Sequence, residues 1–449
     1  MASDLRPRIR LWTGLVLVSS LVLGCSEDKG HNLADAAGTP DGSVGVPVLD
    51  ADIAVNDSDA HDRPDGALGD GSTLVPDAYI PVDVWGADGA PGDGSVLVLD
   101  AYVAVDTSGL QDQLDGGPVD GGVEEFWTIA ILPDTQNSYF YTPSFFDAET
   151  RWIAENHVQE GIAFVLHEGD IVQYPWVEDE WAAARASMGL LDGKVPYVLA
   201  VGNHDLGSTR TDAGVLIPRS TPINNYFSYD EATRAPTFGG AFENGQVENT
   251  YHLLPGGGRT WLVVSLEFSP RDAVVAWADQ ILTKYESLPA ILLTHAYLYS
   301  DGQRYDNVGR ICNFGSDACT ILDPSRNDTQ CWNPICYMGE GSDGEMLWNS
   351  LVKVHSNLLF VFSGHVANAA PFDAARLSST RTDGTVCHQL MADYQAYGDT
   401  GGDGYFRLVR IWHDGRVQVR TFSPYVDPAK AYLTEDRNQF DLIIQLPGG

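Results

Sequence analysis

Short apolar runs rich in β-branched residues recur along the chain from Val123 onward, and amphipathic stretches separate them. The runs are TIAIL, IAFVL, YVLAV, AILL and LLFVF. Uninterrupted runs of this length predict strands that are buried on both faces. The spacing between them predicts helices at Phe145 to Glu160, Trp181 to Leu191, Arg271 to Tyr285 and Glu345 to His355. This alternation predicts an α/β fold.

The pattern changes to mainly β after Asn368. The runs TVCHQLM, YFRLVRIWH, RVQVRTFSP and QFDLIIQL are separated by turn residues such as Asp414-Gly415. An α/β front half followed by an antiparallel back half predicts two sheets packed together with helices outside. Residues 123–449 are enough for one such domain.

The first residues have the features of an export signal. Arg6, Arg8 and Arg10 precede an apolar stretch that is too short for a convincing membrane span. The stretch ends Val22-Leu23-Gly24-Cys25, which resembles the cleavage box of bacterial lipoproteins. We therefore expect residues 1–24 to be a lipoprotein signal peptide.

Acylation of Cys25 would then anchor the chain to a membrane. Ser26 follows the cysteine, where an Asp would indicate retention at the inner membrane, so we expect an exported protein anchored at the bacterial outer membrane. The alternative is an ordinary secretory peptide with an incidental cysteine.

Residues 25–122 have the composition of a disordered tether. From Ser26 to Gly122 the chain has 20 acidic residues against Lys29 and Arg63, which gives −18 of its net charge of −36. Asp, Gly, Pro and Ala dominate, and large apolar groups are too few to offset the entropy of ordering. Weak Ca²⁺ binding is the alternative, but no window matches a complete Ca²⁺ loop.

The remaining domain is also acidic. It has a net charge of about −20, once the tether's −18 and the signal segment's +2 are taken from −36. Nucleic-acid binding needs basic patches, so no nucleic-acid partner is expected. Nothing in the sequence indicates an oligomer, and we assume a monomer.

The cysteines fit an oxidising compartment. Four of them fall within a polar insert rich in Asn, Asp, Gly and Pro, and two local disulfides would hold it, most simply Cys312 with Cys319 and Cys331 with Cys336. The alternative is a zinc site, which the spacing fits poorly. Cys387 lies in an apolar strand and is expected to be a buried thiol.

Polar residues with metal-binding side chains follow the predicted strands. In an open α/β sheet, this edge is where ligands bind. Oxygen and imidazole donors favour Mn, Fe, Zn or Ni over a thiolate site. A pair of such ions can activate a bridging hydroxide and stabilise the leaving oxygen of an ester. The candidate ligands are Asp134, Gln136, Asp170, Asn203, His295 and His365.

These residues occur in an ordered series of motifs that resembles the calcineurin-like metallophosphoesterase superfamily. The branch whose first motif is Asp-Thr-Gln is the most similar. The resemblance implies a four-layer αββα sandwich of two mixed β-sheets and hydrolysis of a phosphomonoester or phosphodiester by a dimetal-bound hydroxide. The motifs are Asp134-Thr135-Gln136, Gly169-Asp170, Gly202-Asn203-His204-Asp205, His295 and Gly364-His365, with Asp393-Tyr394-Gln395 and Gly401 to Tyr405 after them.

The resemblance also implies a role for each residue. Asp134, Gln136 and Asp170 would bind one divalent or trivalent ion. Asp170 would bridge to a second ion, bound also by Asn203, His295 and His365. His204 would be catalytic, because an imidazolium can protonate a poor leaving group near neutral pH.

The chain departs from the family pattern at two positions. Gln173 stands where many relatives have an acid that orients the catalytic histidine. Ala367 replaces the second histidine of the last motif, so one usual ligand is missing and neighbouring Asn368 is its nearest polar substitute. The alternative function is therefore a degenerate, non-catalytic member that binds a phosphorylated ligand. His167 and Asp205 are expected to be structural.

Overall fold

The computed structural model describes residues 125–142, 144–207, 217–307, 310–312, 319–321, 332–367, 373–396, 398 and 401–447, with backbone alone at 310–312 and 319–321. These residues belong to one unit of the chain, Gly116–Gly449. The predicted signal peptide, tether and acylated Cys25 lie outside them, as does Asn368. Within the described ranges, no helix is both long and apolar enough to cross a membrane.

The strands of the described residues are numbered in chain order. They are β1 (Phe126–Leu132), β2 (Ile162–His167), β3 (Tyr197–Leu199), β4 (Phe238–Ala241), β5 (Thr250–Gly256), β6 (Arg259–Leu266), β7 (Ala290–Thr294), β8 (Arg310–Cys312), β9 (Cys319–Ile321), β10 (Leu358–Ser363), β11 (Ala374–Thr380), β12 (Val386–Ala392), β13 (Phe406–Trp412), β14 (Arg416–Phe422), β15 (Tyr432–Leu433) and β16 (Phe440–Ile443).

Two mixed sheets contain all of these strands except β8 and β9. The first sheet has the order β15-β14-β13-β1-β2-β3, with β16 beside β14, and the second has the order β11-β12-β10-β7-β6-β5-β4. In the first sheet β1, β2 and β3 are parallel, whereas β13 is antiparallel to β1. Strands from the front half and the mainly β back half of the sequence therefore share each sheet. The expectation that the back half is antiparallel is wrong at β12, which is parallel to β10.

The two sheets pack face to face, and helices cover their outer faces. Trp127 of β1 meets Trp261 of β6 in the core between the sheets, at 4.9 Å between ring centroids. Ile153 and Trp181 bury the outer face of the first sheet, and Val274 and Leu282 bury that of the second. This arrangement confirms the predicted four-layer αββα sandwich.

The four predicted helices are present. Three are shorter than expected, and the one predicted at Trp181 to Leu191 begins three residues earlier and ends two residues earlier. Those before β3 are α1 (Phe145–Asn156) and α2 (Glu178–Gly189), and those after β3 are α3 (Tyr229–Ala232), α4 (Asp272–Lys284), α5 (Pro334–Met338) and α6 (Gly344–Ser350). Single 3₁₀ turns form at Gln136–Phe140, Ile223–Asn225, Val352–Val354 and Pro428–Lys430. The expected end of α1 at Glu160 is wrong, because the chain turns there through Gly161, at φ 62°, into β2.

Strands β4 to β6 and β11 are not among those predicted from the sequence. Pro255 and the following glycines look like a loop, yet β5 continues through Pro255 to Gly256 and pairs with β6. In the polar insert, β8 and β9 pair so that Cys312 is opposite Cys319 in the backbone register. The two local disulfides stay a prediction, whereas Cys387 is a buried free thiol as expected.

The topology brings the predicted motifs to one edge. Parallel β1, β2 and β3 end together in the first sheet, and parallel β7 and β10 end together in the second. Each of these carboxyl ends is followed within four residues by a predicted ligand. Because the sheets are stacked, the two rows of strand ends form one site.

Candidate metal centre

The structure brings all the predicted ligands together at the strand ends, and all are buried. Asp134 follows β1, Asp170 follows β2 and Asn203 follows β3, whereas His295 and His365 follow β7 and β10. Gln136 begins the 3₁₀ turn after Asp134. Donor atoms of Asp170, His295 and His365 lie within 4.8 Å of one another.

Glycine is required where the strand ends approach the carboxylates. A Cβ on Gly202 would collide with the carboxylate and backbone nitrogen of Asp170, and a Cβ on Gly364 would collide with the carboxylate of Asp134. Asp170 and His365 themselves have positive φ values of 49° and 78°. Left-handed backbone at a non-glycine residue costs free energy and is retained where the surroundings enforce it.

Backbone carbonyls fix the tautomers of both histidine ligands. His295 Nδ1 is 2.8 Å from the carbonyl of Glu168, and His365 Nε2 is 2.8 Å from the carbonyl of Trp332. A carbonyl only accepts, so each of these nitrogens donates its proton. In the neutral rings, the lone pairs left over are on His295 Nε2 and His365 Nδ1. Metal-binding histidines commonly donate their other ring N–H to a carbonyl in this way.

Oxygen atoms surround the lone pair of His295. Its Nε2 is 3.2 Å from Asp170 Oδ2, 3.2 Å from Asn203 Oδ1 and 4.0 Å from Asp134 Oδ2. Acceptors this close to one another repel unless a cation or a second ring proton lies between them. The donor set fits a divalent ion with nitrogen and oxygen ligands.

A second group of donors shares the carboxylate oxygen Oδ2 of Asp170 with His295. The Gln136 amide nitrogen donates to Asp170 Oδ2 at 3.3 Å. Its Oε1 is buried and has no hydrogen-bond partner among the described residues. The Asp134 carboxylate accepts the backbone N–H of His365 at 3.2 Å. An unpartnered amide oxygen beside two carboxylates also fits a cation.

The pKa values of the buried groups in the metal-free protein show where a cation would offset negative charge. Burial raises the pKa of Asp134 well above its usual value, and the charges of Asp393 and Asp170 raise it further. Burial also opposes ionisation of Asp170, but His295 and His204 hold its pKa well below its usual value. Burial lowers the pKa of His365 to about 3, which keeps that ring neutral and able to bind a metal.

His204 lies near the predicted ligands, and hydrogen bonds hold both its backbone and its ring. Its backbone N–H donates to Asp170 Oδ1 at 2.8 Å, and its Nδ1 is 3.0 Å from the carbonyl of Gln173. Nδ1 therefore donates, and Nε2 is the ring nitrogen left for a substrate. The orienting group that the sequence leaves open is thus the backbone carbonyl of Gln173. Glu180 holds that segment by accepting the N–H groups of Gln173 and Tyr174, at 2.8 and 2.9 Å.

His167 and Asp205 have the structural surroundings expected of them. His167 is fully buried, accepts from Gly169 N–H at 3.2 Å and contacts Thr135 Oγ1 at 2.9 Å. Burial lowers its pKa to about 3. Asp205 accepts the N–H groups of Gly202, Ile171 and Val172, and so ties the loops after β2 and β3 together.

Two buried acids near the site received no role from the sequence. Both carboxylate oxygens of Glu168 lack a hydrogen-bond partner among the described residues, and burial raises its pKa well above the usual value. Burial also raises the pKa of Asp393 to about 6, although Gln395 donates to it twice. Each was detectable as an acid just after a strand.

Comparison with known families agrees with this geometry. The family model described as calcineurin-like phosphoesterase matches residues 128–367, more than half of the chain. The chain belongs to the calcineurin-like phosphoesterase family. The match begins in β1 and ends after His365, so it includes each predicted ligand. The Asp-Thr-Gln branch stays a prediction.

Individual relatives are distant or much longer. The Bacillus subtilis (strain 168) protein YvnB, described as uncharacterized, is 28% identical over 333 residues, which cover 72% of this chain and 22% of YvnB. This chain therefore spans about a fifth of that relative's length.

Among solved structures, purple acid phosphatase PPD1 from seeds of yellow lupin (Lupinus luteus) is 13% identical with a TM-score of 0.42. The match covers 72% of this chain and 54% of that protein. GAP50, the anchor in the inner membrane complex of Plasmodium, is 8% identical with a TM-score of 0.37, over 72% and 89% of the two chains.

Proposed function

We propose that this protein is a metal-dependent hydrolase that cleaves a phosphomonoester or phosphodiester at a two-metal centre. The observation that carries the proposal is the convergence at His295 Nε2, where the oxygens of Asp170 and Asn203 approach to 3.2 Å while a carbonyl occupies the other ring nitrogen. Family membership supports the same chemistry.

The ligands divide into two groups that share Asp170. The imidazole half consists of Asn203, His295 and His365, and the amide half consists of Asp134 and Gln136. When bound, two ions would supply Lewis acidity, which ionises water near neutral pH and offsets the charge of the phosphoryl group. Their identity is open among Mn, Fe, Zn and Ni.

The protein's own contribution to the reaction is His204. In the hydrolysis of the ester, the bond between phosphorus and the alcohol oxygen breaks and a new bond forms between phosphorus and the oxygen of water. The departing oxygen would take its proton from His204 Nε2. The Gln173 carbonyl holds the ring and the Asp170 carboxylate holds the backbone N–H of His204, which limits the reorganisation needed during the reaction.

Metal content and turnover test this function together. Metal per chain is measured by inorganic mass spectrometry, and hydrolysis is measured with nitrophenyl mono- and bis-phosphates in the presence of Mn, Zn, Fe or Ni. We expect close to two ions per chain. His204→Ala should reduce kcat by about 10²- to 10⁴-fold with the metal retained. His413→Ala, at a ring that is half exposed and remote from the ligands, is the matched control.

The replacement of a histidine by Ala367 favours a second candidate, a non-catalytic member that binds a phosphorylated ligand. One ion or none, without turnover under any metal supplement, would support that candidate and reject the hydrolase.

The location outside the cytoplasm is part of the same proposal. Cleavage before Cys25 and acylation of its thiol would place the domain on a lipid anchor. Metabolic labelling with a fatty acid should label the wild-type protein and leave Cys25→Ala unlabelled. Labelling that survives the substitution would contradict the lipoprotein assignment.

A further inference from the structure

Four exposed aromatic side chains form a continuous row beside the candidate metal centre. We name this row, which consists of Tyr139, Phe140, Tyr174 and Trp176, the aromatic ledge. The four side chains are 39% to 52% exposed. Successive ring centroids are 5.5, 6.2 and 5.3 Å apart. Exposed rings of this size, in contact with one another, are uncommon on a surface without a ligand.

The ledge is joined to the site at two points. Tyr139 and Phe140 belong to the same 3₁₀ turn as Gln136 of the amide half. Tyr174 follows Gln173, whose carbonyl positions His204. Tyr174 is therefore one residue away from the group that contacts the His204 ring, and Nε2 of that ring would protonate the departing alcohol. The ledge is therefore placed to contact the organic part of the substrate rather than its phosphate.

Two of the three angles between neighbouring rings suit a rounded group, whereas Tyr174 and Trp176 meet at only 33°. Tyr139 and Phe140 meet at 80°, and Phe140 and Tyr174 meet at 74°. A flat base stacks on one ring face at a time, whereas a tetrahedral group fits a corner between two perpendicular rings. The face of an aromatic ring is electron-rich and attracts a cation within about 6 Å of the centroid.

The charge around the ledge favours a cationic group. Glu178 and Asp179 are exposed in the first turn of α2, directly after Trp176. Neither makes an ion pair with another described residue, and none of the cation–π contacts found in the described ranges uses a ledge ring. Residues 123–449, which contain the ledge, have a net charge of about −20. A cation on the substrate would therefore gain from both the rings and the nearby carboxylates.

We infer that the ledge recognises the ammonium group of an amino-alcohol phosphoester, with phosphocholine as its simplest form. This inference rests on the proposed hydrolysis, because it assigns the alcohol side of the same site. Hydrolysis would release the amino alcohol over the ledge and leave the phosphate at the metal centre.

The test uses two esters that differ only in charge. Phosphocholine and 3,3-dimethylbutyl phosphate have the same shape, but a neutral carbon replaces the ammonium nitrogen in the second ester. The kcat/KM is measured for each with the metal-loaded protein. We expect phosphocholine to be preferred about tenfold. The preference should disappear in Phe140→Leu and Tyr174→Leu. It should remain in Tyr432→Leu, a matched control at a half-exposed ring of β15. Equal kcat/KM values, or a preference that survives both ledge substitutions, would overturn the inference.

A binding measurement separates this inference from the proposed function. If the wild-type protein hydrolyses neither ester nor any nitrophenyl phosphate, the hydrolase proposal fails. Calorimetric titration with choline and with neutral 3,3-dimethylbutanol then tests the ledge without turnover. Tighter binding of choline that is lost in Phe140→Leu would support an ammonium site. Equal binding, or binding that Phe140→Leu leaves unchanged, would reject it.

Discussion

The two halves of the candidate metal centre differ in how firmly their donors are held. In the imidazole half, the carbonyls of Glu168 and Trp332 fix both histidine rings, and His295 Nε2 already faces two oxygens at 3.2 Å. In the amide half, Gln136 Oε1 has no partner among the described residues, and Ala367 stands where relatives have a ligand. We therefore expect one tightly bound ion and one weakly bound ion.

The two halves share the carboxylate of Asp170 but differ in the type of donor and in how firmly the donors are held. Neutral imidazoles bind borderline metals more strongly than an amide oxygen does, and hydrogen bonds that orient the rings raise that affinity. The amide half has no imidazole, and its hydrogen bonds are longer, at 3.3 Å for Gln136 and 3.2 Å for Asp134. A cation would still stabilise the amide half, because Asp134 is buried close to other buried acids.

The largest expected effect appears when two single variants are compared, each of which removes one donor from one half. His295→Ala should reduce metal content below one ion per chain and kcat/KM by about a thousandfold or more, since it opens the half that also anchors Asp170. Gln136→Ala should keep one ion and lose only about ten- to a hundredfold. Metal analysis and nitrophenyl phosphate kinetics measure both. Equal losses in the two variants would remove the distinction between the halves.

A smaller effect should follow from crowding the amide half alone. In Gly364→Ala, the new Cβ collides with the Asp134 carboxylate and must displace it. We expect affinity for the second ion to fall about a hundredfold while the first ion stays bound. Gly189→Ala is the control, because its Cβ would meet only the ends of the Arg185 and Asp192 side chains. Zinc titration of the metal-free proteins gives both affinities, and loss of the tight ion instead would refute the assignment of Asp134.

Restoring the family's usual ligand should strengthen the weak half. Ala367→His places an imidazole two residues after His365, and we expect about tenfold tighter binding of the second ion. Titration calorimetry with Zn²⁺ or Mn²⁺ measures the change. No gain in affinity would mean that position 367 does not face the amide half.

The free energy of unfolding should also depend on pH through a histidine outside the metal centre. Burial lowers the pKa of His252, in β5, to about 4 from an ordinary value of about 6.5. The folded ring stays neutral while the unfolded ring gains a proton. Its stabilising contribution is therefore complete above pH 6.5 and is lost as pH falls towards 4.

The corresponding slope is at most about 1.4 kcal/mol of unfolding free energy per pH unit. His252→Gln, which cannot titrate, should reduce the pH dependence of urea unfolding by up to that amount between pH 6.5 and 4. An unchanged slope would show that His252 is protonated in the folded protein.

The sequence predicts which side chains meet at the sheet edge, because each of the candidate ligands follows the end of an apolar strand. Gly202 and Gly364 also follow apolar strands, but only the structure shows that their neighbours leave no room for a Cβ. The groups that orient these side chains could not be predicted in the same way. Gln173, Glu168 and Trp332 act through backbone carbonyls, which every residue has, so no residue type marks them. Only the folded chain shows which carbonyl faces which ring.

The fold was predictable where burial and periodicity agree. Runs such as TIAIL and LLFVF became β1 and β10, and the alternation with helices gave the four layers. The β5–β6 pair was not predictable by the same rule, because Pro255 and consecutive glycines indicate a loop locally. Pairing with β7 and packing of Trp261 on Trp127 override that local preference.

One measurement tests the central claim most directly, namely that two unequal halves form a catalytic dimetal site. Metal-free protein is titrated with Zn²⁺ or Mn²⁺ while bound metal and nitrophenyl phosphate hydrolysis are followed in the same samples. We predict two binding steps, a tight one and a weak one, with full activity only after the second. A single step that ends at one ion per chain, or two ions without any hydrolysis, would contradict the claim.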